Sequence, residues 1–352
     1  MNYNPADNAP KIKKETKNKI KVEFERTPLL ERLRGKYLST AFLGNVLWYV
    51  FRFLFLLGVS YVILFPFFSK ITASFMSAED FVDVTVQLIP KYPTLATYKA
   101  IITDNSYFLA VFNTLLLAGS CAILQTFVCC LVAYGFAKFK FKGNGFVFLL
   151  VVLTMIIPHA TVEFSMYLKF RYFDILGIFN LLGGGVFDWL HIIDKPYINL
   201  LNTYFPLWIL SITALGFKNG LYIFMLRQFF KGVPDELEES AYIDGSGVFR
   251  TFIQIIIPLS GAMLVTVFMF AFSWQWMDNF YTNMFFTSKG PTLMGSIVKI
   301  PKSLNTNYAG QALYESAIKN TAGLMIMFPL IIMYLFGQKY IIQGIERSGI
   351  TG

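Results

Sequence analysis

Charge is scarce in this sequence. Only 14% of the 352 residues are charged, whereas 55% are hydrophobic and 38 are phenylalanine. A soluble domain of this length could not shield that much apolar surface from water. The composition therefore excludes a soluble globular protein and predicts an integral membrane protein.

Residues with catalytic or metal-binding chemistry are also few. The histidines, His159 and His191, lie far apart and away from any cluster of cysteines or carboxylates. Cys121, Cys129 and Cys130 share one apolar stretch, where a thiol behaves as a small hydrophobic group and the spacing predicts neither a disulfide nor a metal site. No His-Glu-x-x-His or Gly-x-Ser-x-Gly motif occurs. We therefore expect no catalytic residue and no metal, and we interpret His159, which follows a proline, as a hydrogen-bonded group at a helix kink.

Six apolar stretches are long enough to cross a hydrocarbon core of ~30 Å, which takes about 20 helical residues. They are residues 48–68, 109–136, 146–166, 206–226, 258–277 and 321–341. Lys and Arg concentrate at the N-terminus and in the loops that follow the second and fourth stretches. The positive-inside rule then places both termini in the cytoplasm, in a multi-pass protein of the cell membrane.

The first 45 residues differ from the rest of the chain. Residues 1–36 carry ten Lys or Arg against five acidic residues, and no apolar run adjoins the N-terminus. We expect a basic cytoplasmic tail that sets the topology and touches anionic membrane lipid. The composition does not favour a cleavable signal peptide or a nucleic-acid partner.

Residues 234–258, here called the charged segment, lie between two apolar stretches. Leu237 and Ala241 share one face of a predicted helix that begins with an acidic cluster, which suits the positive end of a helix dipole. Gly245 suits the left-handed geometry that ends a helix, and Ser246 is expected to cap a second one. A compact helix–Gly–helix element of this kind predicts a docking surface for a partner.

The charged segment resembles the EAA signature of ABC importer permeases. The matching residues are Glu239, Ala241, Gly245, Ile255 and Pro258. Ser240 stands where a second Ala is usual, and Ile257 where Leu is usual. In that family the segment is the coupling helix, which enters a groove on the ATPase subunit. The resemblance implies polar contacts there for Glu239 and Asp244. It implies a complementary surface at Leu237, Ala241 and Gly245.

The resemblance extends from about residue 93 to the C-terminus. Residues 134–143, 227–239, 276–280 and 338–345 are similar to the second permease of carbohydrate importers of the maltose-type branch, although Met277 stands where Asn is usual. This implies an all-α membrane protein with six transmembrane helices and a type I (MetI-like) permease core. Its expected parts are a first transmembrane helix at 46–70, an extracytoplasmic segment at 71–108, a permease domain at 109–341 and a cytoplasmic tail at 342–352.

The resemblance also implies partners. The sequence contains no Gly-x-x-x-x-Gly-Lys-Ser/Thr loop, so we expect no cofactor on this chain and assign ATP and Mg²⁺ to other subunits. The implied assembly contains a second homologous permease, two ABC ATPase subunits and an extracytoplasmic solute-binding protein. Its expected function is ATP-driven import of a sugar or oligosaccharide, with half of the translocation pathway on this chain. We also expect a second ATPase contact in the C-terminal tail; the alternative is a frayed terminus.

A sugar path needs aromatic faces for the rings and polar groups for the hydroxyls. The end of the fifth stretch offers both, at Trp274, Trp276, Asp278 and Asn279. Tryptophan is also enriched at membrane interfaces, and we slightly favour this anchoring role over a sugar contact.

The competing interpretation is a secondary transporter or channel for a small polar solute. Such a protein needs ionisable residues at membrane depth, and only Glu163 and Lys218 lie near it in the predicted spans.

One departure from the family concerns residues 177–202, where we expect an accessory hairpin or helix that serves as a surface insertion rather than a substrate lid.

Overall fold

A computed structural model describes residues 11–13, 21–23, 40–175, 177–178, 197–216, 218–287, 290–304 and 311–349. Most of the basic tail lies outside the described residues, as does most of the 177–202 insertion with its predicted hairpin or helix. The chain divides into two compact units, Met1–Ser69 and Lys70–Gly352.

The first unit contains a short hairpin and most of one long helix. Strands β1 (Lys11–Lys13) and β2 (Lys21–Glu23) pair antiparallel, with Ile12 opposite Val22. Helix α1 (Thr40–Ala73) contains the first predicted span and extends beyond both of its ends. Its Phe, Leu and Val side chains are spread around the whole helix, which suits a span in contact with lipid.

The second unit is helical. Its helices are α2 (Ala96–Asp104), α3 (Tyr107–Lys138), α4 (Asn144–Ile156), α5 (Glu163–Arg171), α6 (Phe205–Ile212), α7 (Asn219–Lys231), α8 (Glu236–Ile243), α9 (Val248–Thr251), α10 (Ile257–Leu259), α11 (Gly261–Trp276), α12 (Phe280–Phe285) and α13 (Gln311–Gly349). Two 3₁₀ turns cover His159–Val162 and Met294–Val298, and a π-helical turn covers Phe252–Ile256.

Helix α3 is the centre of the bundle. It packs against α6, α7 and α11, and α11 packs in turn against α13. The buried face of α3 is rich in small side chains, namely Ala110, Ala118, Cys121, Ala122, Cys129, Cys130 and Ala133. Small residues let helix backbones approach closely. The three thiols are buried on this face, as expected of small hydrophobic groups.

The half of α3 nearest Tyr107 holds the segment that precedes α13. Asn113 donates from Nδ2 to the carbonyl of Thr292 at 3.0 Å, and Thr114 Oγ1 accepts from the backbone N–H of Met294 at 2.9 Å. Just before the helix, Asn105 donates to the carbonyls of Ile297 and Lys299. These bonds fix residues 290–299 against one end of α3.

The described residues do not form six uninterrupted membrane-spanning helices. Among the described residues, three helices are long and apolar enough to cross a membrane, in α1, α3 and α13. Two bent pairs bring the number of possible spans to five: α4 with the segment His159–Arg171, bent by 95°, and Val248–Leu259 with α11, bent by 78°.

The predicted span at 206–226 is interrupted. Helix α6 ends at Ile212 and α7 begins at Asn219, and Ala214 and Lys218 between them have positive φ angles of 58° and 65°. The hydroxyl of Thr213 donates to the carbonyl of Ile209 at 2.7 Å, a local bond that competes with helix continuation. The prediction of one continuous span rested on hydropathy, which depends on the apolar side chains and not on the backbone conformation.

The bend after α4 confirms the interpretation of His159. The backbone leaves the helix at Ile157, and Pro158 then directs the chain into the 3₁₀ turn. The Nδ1 atom of His159 lies 3.0 Å from the hydroxyl of Tyr281. The histidine is therefore a hydrogen-bonded group at a kink.

Helix α13 continues past the predicted end of the last span. It runs beyond Ile341 to Gly349, so residues 342–349 of the predicted cytoplasmic tail are helical. Gly337 and Gly344 lie on the face that meets α11, where Gly344 packs on Ala262 and Thr266. The Oγ1 atom of Thr266 also donates to the carbonyl of Tyr340 at 3.2 Å.

Gly344 leaves no room for a side chain between α13 and α11. A side chain at this position would collide with Thr266 and with the carbonyl of Ala262. We expect Gly344→Val to destabilise the protein by about 1–3 kcal/mol, the usual cost of overpacking. Thermal unfolding in detergent measures the effect. Gly323→Val is the matched control, because open space surrounds that glycine on the same helix; equal destabilisation by both substitutions would contradict the packing argument.

Candidate functional site

The first half of the charged segment folds as predicted. Helix α8 begins at Glu236 with Asp235 at its N-cap, and three acidic residues occupy its first turn. The helix stops where Gly245 takes a φ of +82°, so the predicted left-handed geometry is confirmed. The backbone N–H of Ser246 then donates to the carbonyl of Ala241 at 2.9 Å, which closes the helix end.

The second half differs in two details. Gly247, not Ser246, stands at the N-cap of α9, so the predicted capping role of Ser246 is wrong. The helix then widens into the π turn before Pro258, a residue that cannot donate a backbone hydrogen bond. Phe252 and Ile256 are buried in this turn, whereas Pro258 itself is exposed.

The residues proposed for the coupling surface divide between two faces of α8. Leu237, Glu239, Ser240, Asp244 and Gly245 are exposed. Ala241 is buried, so it packs inside the bundle and does not belong to the outer surface. Sequence reasoning missed two apolar members of that surface, Ile243 at 86% exposed and Phe249 at 68%.

A cation from α3 holds the inner face of the charged segment. The Nζ atom of Lys138 donates to the carbonyl of Val233 at 2.7 Å and to Oδ1 of Asp235 at 2.6 Å. It also lies 3.4 Å from Oε1 of Glu238. Tyr134, one turn back on α3, donates from its hydroxyl to Oε2 of Glu238 at 3.1 Å. We call Tyr134, Lys138, Asp235 and Glu238 the anchor cluster.

Burial makes the contacts of the anchor cluster unequal. The side chains of Lys138 and Glu238 are 6% and 8% exposed, whereas that of Asp235 is 79% exposed. Removing one partner of a buried ion pair costs about 3–5 kcal/mol, because the remaining charge stays buried without compensation. The exposed pair contributes little, since water screens it. Lys138 still lowers the pKa of Asp235 below its ordinary value, chiefly through the hydrogen bond.

The aromatic ring of Tyr134 extends the anchor into the bundle. Its centroid lies 5.9 Å from that of Phe230 at the end of α7 and 4.7 Å from that of Phe252 in the π turn. Both chain connections of α8 therefore converge on one side chain of α3. The sequence offers a weak signal for this, the i, i+4 spacing of Tyr134 and Lys138, but their partner Glu238 is 104 residues from Tyr134.

The residues predicted for a sugar path separate in the structure. Trp276 is buried, stacks on Phe272 and donates from Nε1 to the carbonyl of Ile326 at 3.1 Å, so its role is internal packing. Trp274 is exposed, and the Nζ atom of Lys218 lies 5.0 Å from its ring centroid.

Asp278 and Asn279 begin α12. The carboxylate of Asp278 accepts hydrogen bonds from the backbone N–H groups of Phe280, Tyr281 and Thr282. Asn279 occupies the N-cap and is exposed. The Asp278 side chain therefore caps the start of α12, and its place on a sugar path stays a prediction.

A groove between α5 and α12 carries groups that, apart from Glu163, the sequence did not single out. It measures about 410 Å³ and is lined by Ala160, Glu163, Phe164, Tyr167, Asn283 and Met284. The hydroxyl of Tyr167 accepts a hydrogen bond from Arg171 at 3.1 Å, which orients the ring. A carboxylate, an amide and an aromatic ring thus border one opening.

Comparison with known proteins identifies the family. Residues 125–347 match the family described as binding-protein-dependent transport system inner membrane component. This chain belongs to that family, and it is a multi-pass membrane permease, not an enzyme.

Individual relatives match most of the chain. The inner membrane ABC transporter permease protein YcjP of Escherichia coli is 26% identical over 293 residues, covering 83% of this chain and 92% of the relative. The arabinooligosaccharides transport system permease protein AraQ of Bacillus subtilis is 28% identical over 312 residues, covering 85% and 94%. The structure of a bacterial ABC transporter that imports the acidic polysaccharide alginate shares the fold, with a TM-score of 0.61 at 19% identity over 84% of this chain and 97% of the solved one.

Proposed function

We propose that this chain is the permease subunit of an ATP-driven, binding-protein-dependent importer of a sugar or oligosaccharide, and that it forms half of the translocation pathway. The observation that carries the proposal is the charged segment, which is anchored on one face and exposed on the other. The names of relatives support the substrate class, since they include permeases for arabinooligosaccharides and galactooligosaccharides.

The exposed face of the charged segment supports an ATPase partner. Glu239 and Asp244 lie beside the exposed apolar side chains of Leu237, Ile243 and Phe249. Apolar groups gathered on a polar loop are typical of an interface that a second protein covers. The complete assembly would contain two ABC ATPases that use ATP and Mg²⁺, a second homologous permease and an extracytoplasmic binding protein. A solved alginate transporter in complex with its periplasmic protein shows such a partner for a related fold.

The alternative of a secondary transporter or channel receives less support. Glu163 borders the groove between α5 and α12, and Lys218 is placed over the ring of Trp274. An ion-coupled mechanism is expected to place such groups together as a relay within the membrane. The match of residues 125–347 to the family of binding-protein-dependent transport components favours the ATP-driven importer instead.

The proposed topology has six crossings with both termini in the cytoplasm. It counts α1, α3 and α13, the two bent pairs, and a sixth crossing in which α6 and α7 are joined through the break at 213–218. A discontinuous span is acceptable where its irregular backbone lines protein or a water-filled cavity. The basic N-terminal tail and the lysines near the anchor cluster support a cytoplasmic position for the charged segment.

Labelling of single cysteines tests this topology. In a protein whose three native cysteines are replaced by alanine, we expect Ser246→Cys to react with an impermeant maleimide only after the cells are opened. Lys91→Cys, in the exposed segment before α2, is the matched control and should react in intact cells. Reaction of Ser246→Cys from outside would reverse the proposed orientation.

Substitution at Gly245 tests the coupling role. A bulky side chain at a φ of +82° strains the turn, so we expect Gly245→Val to abolish uptake while the protein remains in the membrane. Glu239→Lys should weaken ATPase co-purification by reversing an exposed charge at the interface. Gly247→Val is the control for added bulk, because that residue has an ordinary extended backbone. Normal uptake by the combined Gly245 and Glu239 variant would refute coupling through this segment.

The groove between α5 and α12 is a proposed part of the sugar path. A ring such as that of Tyr167 stacks on a pyranose, and the groups of Glu163 and Asn283 bind hydroxyls. We expect Tyr167→Ala to raise the sugar concentration for half-maximal uptake roughly 2- to 10-fold, the scale of one lost ring contact. Tyr172→Ala, whose ring does not line the groove, is the control.

The sugar for that assay comes from calorimetric titration of saccharides into the binding protein that works with this permease. Equal effects of the Tyr167 and Tyr172 variants would remove the groove from the path. Binding of amino acids or phosphate, with no saccharide bound, would overturn the substrate class.

A further inference from the structure

The anchor cluster joins the charged segment to the central helix of the bundle. Within the described part of the chain, Glu238 and Ala241 are the buried residues of α8. Ala241 offers only a methyl group, so Glu238 makes the directional side-chain contact on this inner face. Its carboxylate meets two residues of α3, Tyr134 and Lys138.

Lys138 is positioned to transmit a movement of α8 to α3. It is the last residue of α3, a helix of 32 residues and therefore ~48 Å long. Its ammonium group contacts three acceptors spread over Val233, Asp235 and Glu238. These acceptors belong to both the connection into α8 and its first turn. A movement of α8 that keeps these contacts must therefore displace the end of α3.

We propose that Lys138 is a positioning residue for transport, through which movement of the charged segment is transferred to α3. This inference rests on the proposed function of the chain as an ATP-driven permease. Lys138 touches neither sugar nor nucleotide in this role. It fixes the angle between α8 and α3. Without it, α8 moves together with the ATPase while α3 and the rest of the bundle stay in place.

A set of variants separates positioning from simple neutralisation of a buried charge. Lys138→Met removes the cation and leaves Glu238 buried without compensation. Lys138→Met combined with Glu238→Gln removes both charges, and neutral replacement of a buried pair is often harmless to stability. Lys138→Arg keeps the cation. Lys142→Met is the matched control, because Lys142 is an exposed lysine in the loop that follows α3.

The measurement is transport per ATP in proteoliposomes that contain the complete importer with its binding protein. The probe is a mixture of radiolabelled arabinotriose, galactotriose and maltotriose, and ATP use is followed as phosphate release. We expect the double variant to accumulate and hydrolyse ATP like the wild type but to import roughly tenfold less sugar per ATP. Lys138→Arg and Lys142→Met should retain the wild-type ratio.

The outcomes separate the role of Lys138 from the proposed function of the whole chain. A wild-type ratio in the double variant would overturn the inference, because Lys138 would then only neutralise Glu238. A wild-type ratio in Lys138→Met would overturn it as well. If the wild-type importer takes up none of the three sugars and its binding protein holds no other saccharide, the proposed substrate class fails. The inference about Lys138 is then decided by the same ratio, measured with the solute that the binding protein does hold. Since the double variant restores charge balance, the test does not depend on the folding of the single variant.

Discussion

Close packing around α3 is the constraint on which the bundle depends. Lipid tails are as apolar as the side chains that face them, so helices in a membrane gain association energy from tight contact and not from hydrophobic burial. Alanine and cysteine on the inner face of α3 let α7 and α11 approach it, and Gly344 does the same where α13 crosses α11. Polar contacts are spread along α3, from Asn113 and Thr114 in its first half, through Ser120 and Gln125 in its middle, to Lys138 at its last residue.

The two faces of α8 show how one short helix can serve an internal and an external partner. Glu238 and Ala241 point into the bundle, and Leu237, Glu239 and Ile243 are open to solvent. The buried face fixes the helix in one orientation before any partner binds. An interface whose side chains are already ordered loses less conformational entropy on association. The buried face therefore holds the exposed face in one orientation for the subunit contact proposed above.

Local chemistry was predictable from the sequence, and long-range pairing was not. The turn at Gly245 follows from the backbone freedom of glycine, and the kink at His159 follows from the preceding proline. The cap at Ser246 was predicted wrongly because the chain needs one more extended residue, Gly247, before α9 begins. The interruption at 213–218 was missed because hydropathy counts side chains and ignores φ angles. Trp276 was assigned to a sugar path because a sequence cannot show that its indole faces Ile326.

The bend after α4 limits how this chain can exist in a membrane. The 13 residues of α4 span ~20 Å, short of the ~30 Å thickness of the hydrocarbon core. The chain then turns by 95° through a 3₁₀ segment, whose weaker backbone hydrogen bonding is costly against acyl chains. The irregular backbone after α4 therefore has to be covered by protein or by water, and not by lipid, wherever it lies at membrane depth.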